Sequence, residues 1–361
     1  MSVGIPAIFD GHNDVLSRLW RAGNEKACAL FRNGRDGAID LPKSRTGGFA
    51  GGFFAIYVPS PDNRDFNFEA MNQPEYDLPL PDPIPVAESL PVALAQASIL
   101  HRLEADGALK ICTNVAEIRS CMASQTIAAI MHIEGADCID PDFHVLDLFY
   151  RAGLRSLGPV WSRPTLYGHG VPFRFPSDGN IGPGLTDDGI RLVKRCNDMG
   201  IIIDLSHLNE AGFWDVAKHS TAPLIATHSN ATTLCRNSRN LTDRQLDAIA
   251  ESDGMVGINF AVAFLRTDGQ KDINVELDDM MRHFDHLIGR LGEDRVGLGS
   301  DYDGAEVPLS ITDVSQLDAL RNAFRTHGYN EQLLTKLCHE NWLSALERSW
   351  GSGQLDQTID H

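Results

Sequence analysis

The sequence is short of positive charge. Its 361 residues carry 31 Lys and Arg against 49 Asp and Glu, a formal charge of −18. A phosphate-rich partner needs a cationic surface, so nucleic acid is excluded as an expected partner, and so is an anionic membrane face. Long hydrophobic runs are missing too. The longest apolar stretches, such as Ile201-Ile202-Ile203, are strand-sized, far below the roughly 18 residues of a spanning helix. The seven cysteines are dispersed, with no CxxC pair, and read as reduced thiols rather than a disulfide framework. Residues 1–7 lack the basic start and apolar core of a secretion signal, and residues 356–361 are polar, unlike a lipid-anchor signal. No internal repeat or low-complexity tract is present. These absences predict a cytoplasmic protein.

What is present is ordinary globular material, 43% hydrophobic and 22% charged. Eight short apolar runs recur at residues 7–14, 52–58, 127–134, 154–161, 201–207, 224–228, 255–260 and 296–301. Each is apolar on both faces, as strands of a helix-covered parallel sheet are. Helical patterns with caps separate them. Thr186 opens one ending before Gly200, Asn209 and Thr242 open two more, and residues 272–291 form another closed by Gly292. Two further helices, near 312–326 and 330–350, follow the eighth strand. Eight strands with crossover helices predict one α/β domain over residues 1–361, a (β/α)8 TIM barrel. A doubly wound open sheet is less favoured, because no Gly-rich phosphate turn follows the first strand. Long loops at about 60–91 and 162–183 leave the carboxyl ends of the second and fourth strands, where barrel enzymes build their sites.

The strand ends are rich in metal-type donors. The first ends in His12-Asn13-Asp14, the third in Glu134, the fifth in Asp204-Leu205-Ser206-His207, the sixth in His228 and the eighth in Asp301-Tyr302-Asp303. His12 and Asp14 are two apart and share a strand face. One histidine at a strand end is usually a packed or hydrogen-bonded residue. Carboxylates and imidazoles ending five of eight apolar strands would be costly to bury without a cation. Nitrogen and carboxylate donors without cysteine suit zinc, with manganese, cobalt or iron as alternatives.

Seven blocks together, Phe9-Asp10-Gly11-His12-Asn13-Asp14, Ile133-Glu134-Gly135, Gly184-Leu185-Thr186, Asp204-Leu205-Ser206-His207, Thr227-His228-Ser229, Arg239-Asn240 and Gly299-Ser300-Asp301-Tyr302-Asp303-Gly304, resemble the membrane (renal) dipeptidase family, peptidase M19 of the amidohydrolase superfamily. The resemblance runs in order from about residue 8 to 350. It implies a dipeptidase with two Zn2+ ions, His12 and Asp14 on one, His207 and His228 on the other, and Glu134 on both. It implies a metal-bridging hydroxide as nucleophile, Asp301 as catalytic acid and base, and Arg239 as the binder of the substrate's terminal carboxylate. The expected partner is a small dipeptide, and the family suggests a homodimer.

One position departs from the pattern. Aligned on Leu157-Gly158-Pro159-Val160-Trp161-Ser162, Trp161 stands where mammalian members have a histidine thought to help hold the oxyanion. An indole N–H donates one hydrogen bond but does not titrate. His169, in the loop Tyr167-Gly168-His169-Gly170, is a candidate substitute. His132 is read as a packing residue below Glu134, and Asp204 and Ser206 as orienting His207. His144, His219, His283, His286, His327 and His339 are read as surface or interhelical. Asp303 is read as orienting its loop. Two alternatives stand beside the dipeptidase: a related binuclear amidohydrolase acting on N-acyl amino acids, β-lactams or lactones, and a silent binding protein on the same barrel. The second would be favoured by loss of Glu134 or Asp301, and both are present.

Overall fold

The computed structural model describes residues 5–60 and 67–351. Residues 1–4, 61–66 and 352–361 of the expected single domain lie outside this description, and with them most of the expected signal-free start, part of the first long loop and the polar tail.

Among the described residues eleven strands run in chain order: β1 (Ile8–Asn13), β2 (Phe49–Tyr57), β3 (Tyr76–Leu78), β4 (Leu109–Ile111), β5 (Ile127–Glu134), β6 (Leu154–Gly158), β7 (Phe173–Phe175), β8 (Ile202–Ile203), β9 (Ile225–Ala226), β10 (Met255–Asn259) and β11 (Val296–Gly299). Eight of them pair side by side in the order β8-β6-β5-β2-β1-β11-β10-β9. All their pairings are parallel. A parallel bridge between Asp204 and Ile225 links the two ends of the row, β8 to β9. The result is the expected (β/α)8 barrel. No helix of the described residues is long and apolar enough to cross a membrane.

Side chains alternate between two apolar layers, as a barrel requires. Phe9, Phe53, Ile130, Ile202, Ile225 and Met255 fill the interior together with Trp342. Ile8, Phe54, Met131, Ile203, Ala226 and Val256 face the surrounding helices. Trp342 reaches the interior from the helix Asn341–Trp350, and its indole N–H donates to the Leu298 carbonyl at 2.8 Å. Glycine makes room for it: a Cβ on Gly11 would stand 2.5 Å from the indole, and one on Gly297 2.8 Å.

Caps place the helices where the sequence predicts them. Thr186, Asn209 and Thr242 each accept a backbone N–H at the start of Asp187–Met199, Glu210–His219 and Asp243–Glu251. The helix expected from residue 272 begins later, at Leu277. The one expected over 312–326 narrows to Leu317–His327, and the last is broken by a π-turn at Lys336–Glu340. The strands expected at 201–207 and 224–228 are shorter than their apolar runs. Asp204 turns back to accept the Ser206 N–H, and His207 has φ +68, so the chain leaves the sheet at β8.

Three short strands lie outside the barrel row. β4 pairs with the first three residues of β5. β3 and β7 form an antiparallel ribbon, Tyr76 opposite Phe175 and Leu78 opposite Phe173. The ribbon joins the two long loops to each other over the barrel mouth.

Candidate metal centre

Five side chains converge at the carboxyl ends of the strands. Glu134, the last residue of β5, places Oε1 3.0 Å from His207 Nε2, 3.5 Å from His228 Nε2 and 3.6 Å from His12 Nε2. His12 Nε2 lies 3.4 Å from Asp14 Oδ2, and His207 and His228 bring their Nε2 atoms to 3.1 Å. His12, Asp14 and Asp301 form one group able to share an ion, and Glu134, His207 and His228 another. All but Asp301 are buried.

Local structure aims each donor. The β1–β2 pairing slips between Asp10 and Asn13, where His12 sits, and Asn13 Nδ2 ties the strand to the Phe53 carbonyl at 3.0 Å. Ser162 Oγ lies 2.9 Å from His207 Nδ1, and Thr227 Oγ1 2.8 Å from His228 Nδ1. Each leaves the Nε2 face turned to Glu134. Asp204 and Ser206 serve His228 rather than His207: Asp204 accepts from the Thr227 N–H and hydroxyl, and Ser206 Oγ from the His228 N–H. His207 (φ +68) and Asp301 (φ +58) are two of the few non-glycine residues with left-handed backbone, a strain that clusters at functional sites.

Burial governs the electrostatics. It pushes His207 and His228 well below the ordinary histidine value, with the charges of His12 and Arg239 adding to it. It pushes Glu134 well up and Asp301 up, opposed in both by His12. At His12 burial acts downward, but the Glu134, Asp14 and Asp301 carboxylates outweigh it and hold the ring up at about 10. The cluster therefore favours an added positive charge.

The donor set fits divalent cations. Both ring nitrogens of His12 and Oδ1 of Asp14 are buried without a hydrogen-bond partner among the described residues, which a bound cation would relieve. Gly304 keeps the adjoining space open, since a Cβ there would stand 2.1 Å from Asp14 Oδ2 and 2.4 Å from Asp301 Oδ1.

A cavity of about 470 Å³ opens over the cluster, bounded by Glu134, His207, Asp301, Trp161, Phe173 and Phe264 among others. Such a volume suits a small ligand. The Trp161 ring stands 5.8 Å from that of His207. Arg239 is buried behind Phe264 and is not itself among the lining residues; its Nη2 donates to the His228 carbonyl at 3.2 Å, its Nε has no partner among the described residues, and its guanidinium stands 5.5 Å from the Phe264 ring. Burial lowers it to about 10. His169 is half-buried in its loop and is not among the residues lining the cavity. His132 packs below, its Nδ1 2.9 Å from Ser156 Oγ. Asp303 accepts from Arg35 at 3.0 Å and from the Ala38 and Ile39 N–H groups, so it fixes its loop. His283, expected at the surface or between helices, is buried and joins the Ala231 N–H to the Leu265 carbonyl.

Two contributors escaped the sequence reading. Asn259, ending β10, donates its amide to Asp301 Oδ2 at 3.0 Å. Ser162 orients His207. The available signal for Asn259 was its place near the end of an apolar run, where the clustered histidines and carboxylates also lie.

A parallel barrel with imidazoles and carboxylates gathered at its strand ends is the architecture of the amidohydrolase type of metal-dependent hydrolase. Within that class the chain belongs to the membrane dipeptidase family, peptidase family M19, whose family model matches residues 5–350, and it is a metallo-dipeptidase. A metallo peptidase from Rhodobacter sphaeroides, crystallised with a phosphinate mimic of the dipeptide L-Ala-D-Ala, is 53% identical. The match covers 96% of this chain and 100% of that one, with a TM-score of 0.94. The dipeptidase AC, a metallo peptidase of family M19, is 54% identical over 97% of this chain and 100% of its own, again with a TM-score of 0.94. An uncharacterized protein in the pqqA 5' region of Klebsiella pneumoniae is 47% identical over 71% of this chain and 95% of its own.

Proposed function

We propose that this metallo-dipeptidase holds two zinc ions in the barrel mouth and hydrolyses dipeptides with a free carboxy terminus in the cytoplasm. The observation that carries this reading is Glu134 Oε1 lying within 3.6 Å of three imidazole nitrogens donated by β1 and by the loops after β8 and β9. His12 and Asp14 would hold one ion, His207 and His228 the other, and Glu134 both. When bound, such ions polarise a scissile carbonyl and lower the pKa of water enough to yield a nucleophile at neutral pH.

The remaining work falls to the chain. Asp301 has Oδ2 held by Asn259, and its Oδ1, beside Gly304, takes up a proton as water attacks and returns it to the leaving amine. Arg239, with its buried Nε unpartnered, binds the substrate's terminal carboxylate. Trp161 and Phe173 wall the cavity beside His207 and pack against the substrate. His169 is left out of this set. The dipeptide mimic held by the Rhodobacter sphaeroides relative supports a substrate of two residues.

Metal analysis and a dipeptide panel test the reading. Gently purified protein should hold about two zinc ions per chain and cleave members of the panel. A protein that binds no zinc, and leaves every dipeptide intact after zinc is added, overturns it.

A further inference from the structure

The cavity wall carries an uneven charge. Five carboxylates line it. Asp14, Glu134 and Asp301 belong to the ligand cluster, Asp303 is bound by Arg35 at 3.0 Å, and Glu306 pairs with Lys271 at 3.0 Å. Arg18 and Arg21 line the same cavity, are exposed, and form no ion pair with a carboxylate among the described residues, although Arg18 lies near enough to Asp303 to act on its carboxylate. Arg18 is anchored through Nε, which donates to the Asp303 carbonyl at 2.6 Å. Two guanidinium groups without an ion pair among the described residues, at the mouth of a chain with charge −18, invite an anion.

Both arginines sit in the last turn of the helix Val15–Arg21, where a cation also suits the helix dipole. That role is served on any side of the turn. Their spacing of three instead puts them on one face, and both border the cavity. This face rises from the end of β1. Arg239 lies after β9, and β11 and β10 separate β9 from β1 around the barrel. Asp301, after β11, falls between them. A substrate whose carboxy terminus is at Arg239 therefore extends its amino-terminal half toward Arg18 and Arg21.

We infer that the favoured substrate is a dipeptide with an acidic side chain on its amino-terminal residue, bound by Arg18 and Arg21. The inference rests on the reading above that Arg239 takes the carboxy terminus.

The test compares kcat/KM of the zinc-loaded enzyme for Glu-Ala, Gln-Ala, Ala-Glu and Ala-Gln, each with an L- or D-residue at the carboxy terminus. Glu-Ala should exceed Gln-Ala by about tenfold or more at low ionic strength, and added salt should shrink the gap. Arg21→Gln should bring the ratio toward one, as should Arg18→Gln. Cleavage of dipeptides with no preference for Glu-Ala, or with a preference only for Ala-Glu, overturns the inference and leaves the dipeptidase reading standing. A preference that survives both substitutions together overturns the assignment to these arginines. Failure to cleave any dipeptide overturns both readings.

Discussion

The Asp301 carboxylate has one oxygen held and one open. Asn259 Nδ2 donates to Oδ2, while Asn259 Oδ1 accepts the Ala261 N–H at 2.6 Å, so the amide cannot turn over without losing both bonds. Asn230 fixes the same residue from below, accepting its N–H and donating to its carbonyl. Asp301→Asn keeps the shape of the side chain and removes its capacity to carry a proton. It should leave metal content near that of the unmodified enzyme and lower kcat by about 10²- to 10⁴-fold. Unchanged turnover would remove Asp301 from the acid/base role. Asn259→Ala frees the carboxylate to turn and should lower kcat about tenfold with metal content retained. An unaltered kcat would show that the amide positions nothing. Four members of the candidate cluster were legible in the sequence because His12, Glu134, His207 and His228 each lie at the end of an apolar run too short for anything but a buried strand. Asn259 was not, because a single neutral amide near the end of the run at 255–260 carries neither the charge nor the ligand chemistry that marks the others.

Among the elements, the eight barrel strands were legible for a physical reason: burial on both faces demands unbroken apolar runs. Their ends were less so. The runs at 201–207 and 224–228 continue past β8 and β9, yet the regular ladder ends at the Asp204–Ile225 bridge, beyond which the Asp204 carboxylate takes the Ser206 and Thr227 N–H groups. The ribbon of β3 and β7 was invisible. Its three-residue strands lie 95 or more residues apart in loops rich in turn formers, and only their mutual pairing defines them. The ribbon nonetheless shapes the site, since Phe173 stands edge-on to His207 with ring centroids 6.4 Å apart. Trp342 was equally hidden, since nothing in the sequence sets it apart within the expected helix near 330–350. Truncating it empties the interior between Gly11, Gly257 and Gly297 and leaves the Leu298 carbonyl without its indole donor. Trp342→Ala should destabilise the fold by about 3–5 kcal/mol. Denaturant titration checks this, and a loss within the error of the measurement would mean that the interior is filled some other way.

At the scale of the whole molecule, stability should depend on acid through buried histidines remote from the cavity. His283 belongs to the helix Leu277–Leu291 and is 1% exposed. Its Nδ1 accepts the Ala231 N–H, so the other nitrogen carries the proton and donates to the Leu265 carbonyl. That arrangement fits only the neutral ring. Burial accordingly lowers its pKa from 6.5 to about 4. Between these values the folded state binds fewer protons than the unfolded chain. Its contribution is therefore complete above pH 6.5 and is lost as the pH falls toward 4. For a ring this deeply buried the shift corresponds to about 3 kcal/mol, a large share of the margin by which domains are stable. Glutamine can offer similar bonds without titrating. His283→Gln should therefore lose stability less steeply than the unmodified protein as the pH drops from 7 to 4, whatever its stability at pH 7. Protonations common to both proteins cancel in the difference between the two curves. Midpoints of urea unfolding at a series of pH values give that difference directly. Parallel curves would mean that His283 takes up its proton without opening the fold, and that the acid lability of the barrel arises elsewhere.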